Sequence, residues 1–224
     1  MILEFQNVTG RQKDFYLQDI TFSLEEGYLM GISGKNGAGK STLLKYIIDP
    51  NIDYEGQILV FGEDIQKNRT RLINEIGFIS EENPFIKSMS AQKNANIFGR
   101  LYHQWSQKLF ETMMDFMEVP IKTPLKNLSR GELFKFQTAF AIAHKTKLYL
   151  IDEATAGMDI VFRRDFLKLL QNIIKDETAS VILVTHIKEE LERRMDYILH
   201  LEQGKMLFFR ENREEDDKWT ENSF

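Results

Sequence analysis

Nine consecutive residues, Gly34 to Thr42, have the residue types and the spacing of a phosphate-binding loop. Their sequence, GKNGAGKST, matches the pattern G-x-x-x-x-G-K-[ST] at every fixed position. Glycines let successive backbone N–H groups converge on a phosphate at the positive end of the helix that follows. Lys40 is expected to reach the β- and γ-phosphates, and the Ser41 hydroxyl to ligate Mg²⁺. The residues predicted to contact the nucleotide are Gly34, Asn36, Gly37, Ala38, Gly39, Lys40, Ser41 and Thr42.

The residues on either side of this loop suit the same interpretation. Residues 28–32 (YLMGI) are typical of a short buried strand, and residues 43–48 (LLKYII) are typical of the start of a helix. A chance glycine-rich turn is the alternative, but it does not require a strand before it and a helix after it. The sequence therefore predicts that the chain binds a nucleoside triphosphate.

Two carboxylates follow an apolar strand about one hundred residues after the loop. Residues 148–153 read LYLIDE, which would place Asp152 and Glu153 at the carboxyl end of a buried strand, where the phosphates of such a sheet lie. Asp152 is expected to hold Mg²⁺, and Glu153 to act as the base that orients the attacking water. A strand that simply runs out into solvent is the alternative.

A histidine ends a second apolar strand. His186 follows residues 180–185 (SVILVT), so it would lie at the same sheet edge as Glu153 and could contact the γ-phosphate and the water. Strand-end histidines are also often ordinary surface residues. The other histidines, His103, His144 and His200, have no comparable setting and lack the spacing of a zinc site.

A serine begins the helix predicted from Leu133 to Ala143. Ser129 and Glu132 have the spacing of a capping box, in which each side chain satisfies a backbone N–H at the helix start. The same helix N-terminus, with Arg130 and Gly131, could be a second anion site. The two interpretations are compatible.

Composition limits the classes of function. The chain has 224 residues, 42% of them apolar, and a net charge of −5, so it can bury a sizeable core, and a broad nucleic-acid-binding surface is not expected. It has no cysteine, which removes disulfides and cysteine nucleophiles. No apolar run approaches the roughly 18–20 residues that span a bilayer, so we expect no direct membrane insertion.

The order of segments predicts an α/β fold. Strand-like segments at residues 2–5, 20–24, 57–61, 147–151 and 180–185 alternate with helical ones, including about 90–142 and 162–174. Buried strands and helices that alternate around a phosphate loop imply a parallel sheet with helical crossovers. The charged segment 211–224 is interpreted as a solvated tail.

Six motifs in a fixed order resemble the nucleotide-binding domain of ABC transporters across nearly the whole chain. They are GKNGAGKST, Glu81 in GFISEEN, LSRGE, LYLIDE, AGMD and VTH. The resemblance implies a P-loop NTPase with a RecA-like core, an antiparallel β-subdomain and a helical subdomain. The ATPase domain would span 1–210, with the helical subdomain at about 82–143.

The resemblance also implies a mechanism. Two such domains would face head to tail, so that ATP and Mg²⁺ are enclosed between the loop of one and Ser129 and Gly131 of the other. Ser41, Asp152 and Glu81 would hold Mg²⁺, and Asp159 would contact the opposite subunit.

Four features depart from the family pattern. Glu81 stands where glutamine is usual, Arg130 and Glu132 replace a glycine and a glutamine of the signature, and the AGMD motif replaces SALD. The aromatic residue that stacks on adenine has no clear counterpart, and Arg11 and Phe15 are the candidates. Because Lys40, Ser41, Asp152, Glu153 and His186 are all present, we expect an active ATPase.

These features look most similar to ATPase subunits of bacterial exporters for peptides or antimicrobials, including phenol-soluble modulin exporters. Such a subunit works at the cytoplasmic face of the membrane with a second ATPase subunit and a separate transmembrane permease. Pro84, Phe85 and Ile86 are the expected docking contacts, with ordinary loop packing as the alternative. Two other functions stay open: a soluble ABC ATPase that acts on ribosomes or DNA, and a non-hydrolysing nucleotide sensor.

Overall fold

The computed structural model of the chain describes residues 1–12, 15–152, 160–175, 179–185 and 194–212. The strands in these ranges are β1 Leu3–Gln12, β2 Phe15–Leu24, β3 Leu29–Ser33, β4 Tyr54–Val60, β5 Glu63–Asp64, β6 Ile76–Ile79, β7 Leu148–Asp152, β8 Ser180–Val184, β9 Tyr197–Glu202 and β10 Lys205–Glu211. The helices are α1 Lys40–Ile48, α2 Ile65–Leu72, α3 Ala91–Phe98, α4 Gln107–Phe116, α5 Arg130–Ala143 and α6 Ile160–Ile174.

The strands form one sheet in the order β5-β4-β1-β2-β10-β9-β3-β8-β7-β6. From β9 to β6 the neighbouring strands are all parallel. Every residue of β3 and β8 is buried, because helical crossovers cover both faces of a parallel sheet, and this explains their uninterrupted apolar runs. The order of parallel strands brings the ends of β3 and β7, and with them the predicted loop and Asp152, to one edge.

The other half of the sheet is antiparallel. Strand β1 pairs with β2 on one side and with β4 on the other, and buried and exposed residues largely alternate along β2. This part covers the face of α1 through apolar residues such as Phe5, Ile20 and Tyr46, which belong to the same core cluster.

A separate apolar cluster lies among α3, α4 and α5, and includes Phe110, Met114, Phe136 and Phe140. The predicted helical stretch 90–142 thus contains three α-helices, with short 3-10 helices at Gly99–Leu101 and Leu125–Asn127 in the segments between them. Within the described ranges, no helix is both long and apolar enough to cross a membrane.

The C-terminal strands differ from the sequence expectation. Strands β9 and β10 were not predicted, and Glu211, placed in the tail, is the last residue of β10 and pairs with Tyr197. Asn212 is anchored as well, because its N–H donates to the Asp196 carbonyl at 2.7 Å. The remaining predicted tail, 213–224, lies outside the described residues.

Candidate nucleotide site

Helix α1 begins in a way that leaves its positive end available to an anion. Its N-cap, Gly39, provides no capping side chain, and its first turn contains no acidic residue. Helices α2 to α5, in contrast, each begin with a side-chain cap, from Asp64, Ser90, Ser106 and Ser129 respectively. Since the first N–H groups of a helix have no partner within it, the start of α1 is suited to bind phosphate.

Lys40, the first residue of α1, turns back over the predicted loop. Its ammonium donates to the carbonyls of Gly34 at 2.7 Å and Lys35 at 3.0 Å, and the residue is only 4% exposed. These contacts hold a buried cation against the loop, which is where a phosphate chain would need a counter-charge.

Ser41 and Asp152 meet at the carboxyl end of the parallel strands. The Ser41 hydroxyl donates to Asp152 Oδ1 at 2.8 Å, although the two residues are 111 positions apart. Ser41, Asp152 and Glu81 line one cavity of about 190 Å³. The other residues that line this cavity are Lys45, Phe78, Ser80 and Glu82.

The donor set of this cavity fits Mg²⁺. Ser41, Asp152 and Glu81 offer a hydroxyl and two carboxylates, and Mg²⁺ is commonly bound through one or two carboxylates together with substrate phosphates. Among the described residues, no group of three His, Cys, Asp or Glu side chains could hold a metal by itself.

The strand before the loop is fixed by a contact that the sequence did not reveal. Ser33 Oγ lies 2.8 Å from His200 Nδ1, on the neighbouring strand β9, and both residues are buried. Burial lowers the pKa of His200, which favours a neutral ring beside the loop. No local sequence signal links two residues 167 positions apart.

Of the two candidates for adenine stacking, Phe15 lies against the loop. A Cβ atom built on Gly39 would come within 2.7 Å of the Phe15 ring, so ring and loop backbone are in close contact. Arg11 is paired with Tyr16 in the β1–β2 register, and successive residues of a strand point to opposite faces. Arg11 is therefore on the other face from Phe15, and the geometry favours Phe15.

Helix α5 begins with the predicted capping box. The Ser129 hydroxyl accepts from the Glu132 N–H at 3.2 Å, and the Glu132 carboxylate accepts from the Ser129 N–H at 2.7 Å. This hydrogen bond from the Ser129 backbone lowers the pKa of Glu132. Ser129 and Arg130 are exposed and Gly131 is partly so, which leaves this helix end accessible to another molecule.

Two contacts connect this helix to the strand that precedes Glu81. Gln137 of α5 accepts from the Ser80 N–H at 3.1 Å and donates to the Ser80 carbonyl at 3.0 Å, and both residues are buried. Glu81, the next residue, forms an ion pair with Arg130. Sequence reasoning missed Gln137, because its position on an apolar helix gives no sign of its partner.

The predicted docking residues divide into two groups. The Phe85 ring packs against Phe98, Phe136 and Phe140, with centroid separations of 5.3, 4.8 and 5.0 Å. Phe85 is thus part of the helical core, while Pro84 and Ile86 are exposed. Docking to a partner stays a prediction from the sequence, and Pro84 and Ile86 are the predicted residues that are exposed to make such a contact.

Three predicted site residues, Glu153, Asp159 and His186, lie outside the described residues. Their roles stay predictions from the sequence.

The chain is similar to several bacterial transporter proteins. An uncharacterised ABC transporter ATP-binding protein of Bacillus subtilis, YhcH, is 27% identical over 92% of this chain and 68% of its own length. The bacitracin transport ATP-binding protein BcrA of Bacillus licheniformis is 25% identical over 88% and 65%. A probable metal transport system ATP-binding protein of Thermotoga maritima is 32% identical over 83% and 75%. The chain spans about two thirds of the length of the first of these relatives.

Solved structures show the same fold. An ATP-binding subunit of an ABC transporter has a TM-score of 0.83 at 23% identity, covering 94% of this chain and 90% of the other. A dimeric ATP-binding cassette with ADP and Pi has a TM-score of 0.82 at 21% identity, covering 94% and 99%. These structures confirm the predicted P-loop NTPase fold of the ABC type.

The family is shown by the sequence itself. The family model described as ABC transporter matches residues 17–156, which is more than half of the chain. This range contains the phosphate loop, Glu81, Ser129 and Asp152. The chain therefore belongs to the ABC transporter family and is an ATPase domain of that family.

Proposed function

We propose that this chain is the ATP-hydrolysing subunit of an exporter, which closes head to tail on a second ATPase subunit and drives a separate transmembrane permease. The observation that carries the proposal is the hydrogen bond between Ser41 and Asp152, beside Lys40 and the uncapped start of α1. This arrangement provides an anion site and a counter-charge at the start of α1, next to the cavity whose oxygen donors suit Mg²⁺.

In this proposal Lys40 neutralises the phosphates, and Ser41, Asp152 and Glu81 hold Mg²⁺, which shields the charge that develops on the phosphates. Glu153 orients the attacking water, and His186 supports the γ-phosphate. Phe15 supplies an apolar surface for the base.

Ser129 and Gly131 complete the site of the second subunit, and Asp159 contacts that subunit.

Export is favoured over import by the sequence resemblance to exporters of peptides or antimicrobials. Two relatives carry names for Nod factor export and one for bacitracin transport, and another is named for methionine import. We propose that the chain works at the cytoplasmic face of the membrane, where Pro84 and Ile86 contact the permease.

Phosphate release from Mg·ATP by the purified chain tests the proposed activity. The Lys40→Ala variant should lose turnover, because the phosphates lose their buried counter-charge. Lys67→Ala is the control: this exposed lysine lies on α2, pairs with Asp64 at 3.5 Å and does not line the cavity. Equal turnover by wild type and Lys40→Ala would contradict the proposal.

The docking proposal is tested by the share of the chain recovered with the membranes of producing cells. Ile86→Asp should lower that share, while Leu207→Asp, which changes an exposed leucine on β10, should not. Unchanged recovery of Ile86→Asp with intact ATP binding would contradict this docking surface.

A further inference from the structure

Two departures from the family pattern meet each other in the fold. Glu81 replaces the usual glutamine and Arg130 replaces a usual glycine, and their side chains form an ion pair between the end of β6 and the start of α5. The side chains of Glu81 and Arg130 are 58% and 39% exposed. The two residues that depart from the family pattern therefore carry opposite charges and pair with each other.

Both partners are held in place by neighbouring contacts. Ser80, directly before Glu81, is fixed by the two buried hydrogen bonds to Gln137. Arg130 follows Ser129, whose capping box fixes the start of α5. These contacts fix the backbone on which each side chain of the ion pair is carried.

Glu81 has a second candidate partner. It lines the cavity that contains Ser41 and Asp152, where we have proposed a Mg²⁺ site. A carboxylate that accepts hydrogen bonds from a guanidinium has fewer lone pairs and less negative charge to offer to a hard cation. Pairing with Arg130 and ligation of Mg²⁺ are thus competing uses of one carboxylate.

We propose that Arg130 is a positioning residue for Glu81 and competes with Mg²⁺ for its carboxylate. When Glu81 turns to the metal, the Arg130 guanidinium is released beside Ser129, on the helix end that faces a second copy of the chain. The inference rests on the proposed function, because it takes Glu81 as a metal ligand and Ser129 as part of the partner's site.

The Mg²⁺ dependence of nucleotide binding measures this competition. A fluorescent ADP analogue is titrated with the chain at increasing Mg²⁺, and the Mg²⁺ concentration at half-maximal binding is determined. Arg130→Gln should lower that concentration by roughly 1.5- to fivefold, the range expected for loss of one exposed ion pair. Arg130→Lys, which keeps the charge, should stay near the wild-type value.

A double-mutant cycle shows whether the effect passes through Glu81. In a Glu81→Gln background, Arg130→Gln should leave the Mg²⁺ midpoint unchanged. An unchanged midpoint in the Arg130→Gln single variant, or the same decrease in both backgrounds, would overturn the inference. Thermal unfolding of each variant is the control that checks whether the chain remains folded.

The proposed function fails in a different way. If wild type and Lys40→Ala bind the analogue equally, the phosphate loop is not the site, and both the function and the inference are wrong. If Lys40→Ala alone loses binding while Arg130→Gln leaves the Mg²⁺ midpoint unchanged, the proposed function stands and only the role of Arg130 is refuted.

Discussion

Gln137 binds both the N–H and the carbonyl of Ser80, at 3.1 and 3.0 Å, and so attaches the helix that begins at the signature residues to the strand that precedes Glu81. Both residues are almost fully buried. A movement of α5 would therefore displace the backbone next to Glu81, which links the Ser129 end of α5 to the cavity that contains Ser41 and Asp152.

Loss of this amide should destabilise the chain. Gln137→Met keeps the length of the side chain but removes the acceptor of the buried Ser80 N–H and leaves the Ser80 carbonyl with a long hydrogen bond from Asn83 at 3.4 Å. This loss costs about 1–3 kcal/mol of unfolding free energy. Urea unfolding measures the loss. Gln107→Met is the control: it removes an exposed hydrogen bond to Glu111 at 2.8 Å and a long one from the Trp105 indole N–H at 3.4 Å, neither of which satisfies a backbone group. Equal effects of the two substitutions would contradict the role assigned to Gln137.

Ser129 has two proposed roles, as the N-cap of α5 and as part of the second subunit's nucleotide site, and two serine variants separate them. Ser129→Ala removes the N-cap of α5 and should cost ~1 kcal/mol of stability. Ser106→Ala removes the corresponding cap of α4 and should cost about as much. Only Ser129→Ala should also weaken ATP-dependent dimer formation, measured by light scattering in a Glu153→Gln background. If the two variants dimerise equally well, Ser129 is only a cap.

Because Phe15 is in close contact with the loop, we expect alanine substitutions at two loop glycines to differ in how much they lower the stability of the chain. Gly37 and Gly39 both have positive φ, 80° and 107°, but only a side chain at Gly39 would collide with Phe15. Gly37→Ala should cost about 1–2 kcal/mol from backbone strain alone. Gly39→Ala should cost a further 1–3 kcal/mol, roughly the penalty of overpacking.

Urea unfolding also measures this difference, and a second substitution tests its cause. Phe15→Val should recover part of the stability lost in Gly39→Ala, because it removes the colliding ring. Equal losses in the two alanine variants would show that ring and loop are not in contact.

His144 predicts a pH dependence of stability. Burial lowers its pKa from 6.5 to about 4, and its ring stacks on Tyr102 at 4.0 Å. The unfolded chain therefore takes up the proton first as the pH falls, so stability is fully present above about pH 6.5 and is lost towards pH 4. The loss amounts to at most about 3 kcal/mol.

Urea unfolding between these pH values measures the slope. His144→Phe keeps an aromatic ring next to Tyr102 and should flatten the slope, while His103→Gln, at an exposed position, should leave it unchanged. A slope equal to that of the wild type in His144→Phe would show that other groups cause it. Burial also lowers the pKa of His200, so some slope should remain.

Local chemistry was predictable from the sequence, and distant pairing was not. The loop, its helix and the strands β3, β7 and β8 depend on consecutive residues with a clear pattern. The sequence could not show that His200 meets Ser33, because that contact depends on the order of strands in the sheet.

The sequence did not predict the whole of β1, the helix α2 or the strand β10, because their patterns of apolar residues are weak. The sequence predicted strand β1 too short, because irregularities in its pairing between Phe5 and Gly10 interrupt the alternation of apolar residues. Helix α2 is mostly polar and buries only Ile65 and Leu72. Strand β10 consists of half-buried and exposed residues, so it resembles the charged segment that follows it.

The proposed site needs a second ATPase subunit, and two copies of this chain would enclose ATP between the loop of one and Ser129 and Gly131 of the other. The most direct test is the molar mass of the Glu153→Gln variant by light scattering, with and without Mg·ATP. Loss of the proposed base should trap ATP in a closed pair, so the mass should double from 26.3 kDa only when Mg·ATP is present. A monomer under both conditions, with ATP bound, would contradict a site shared between two copies.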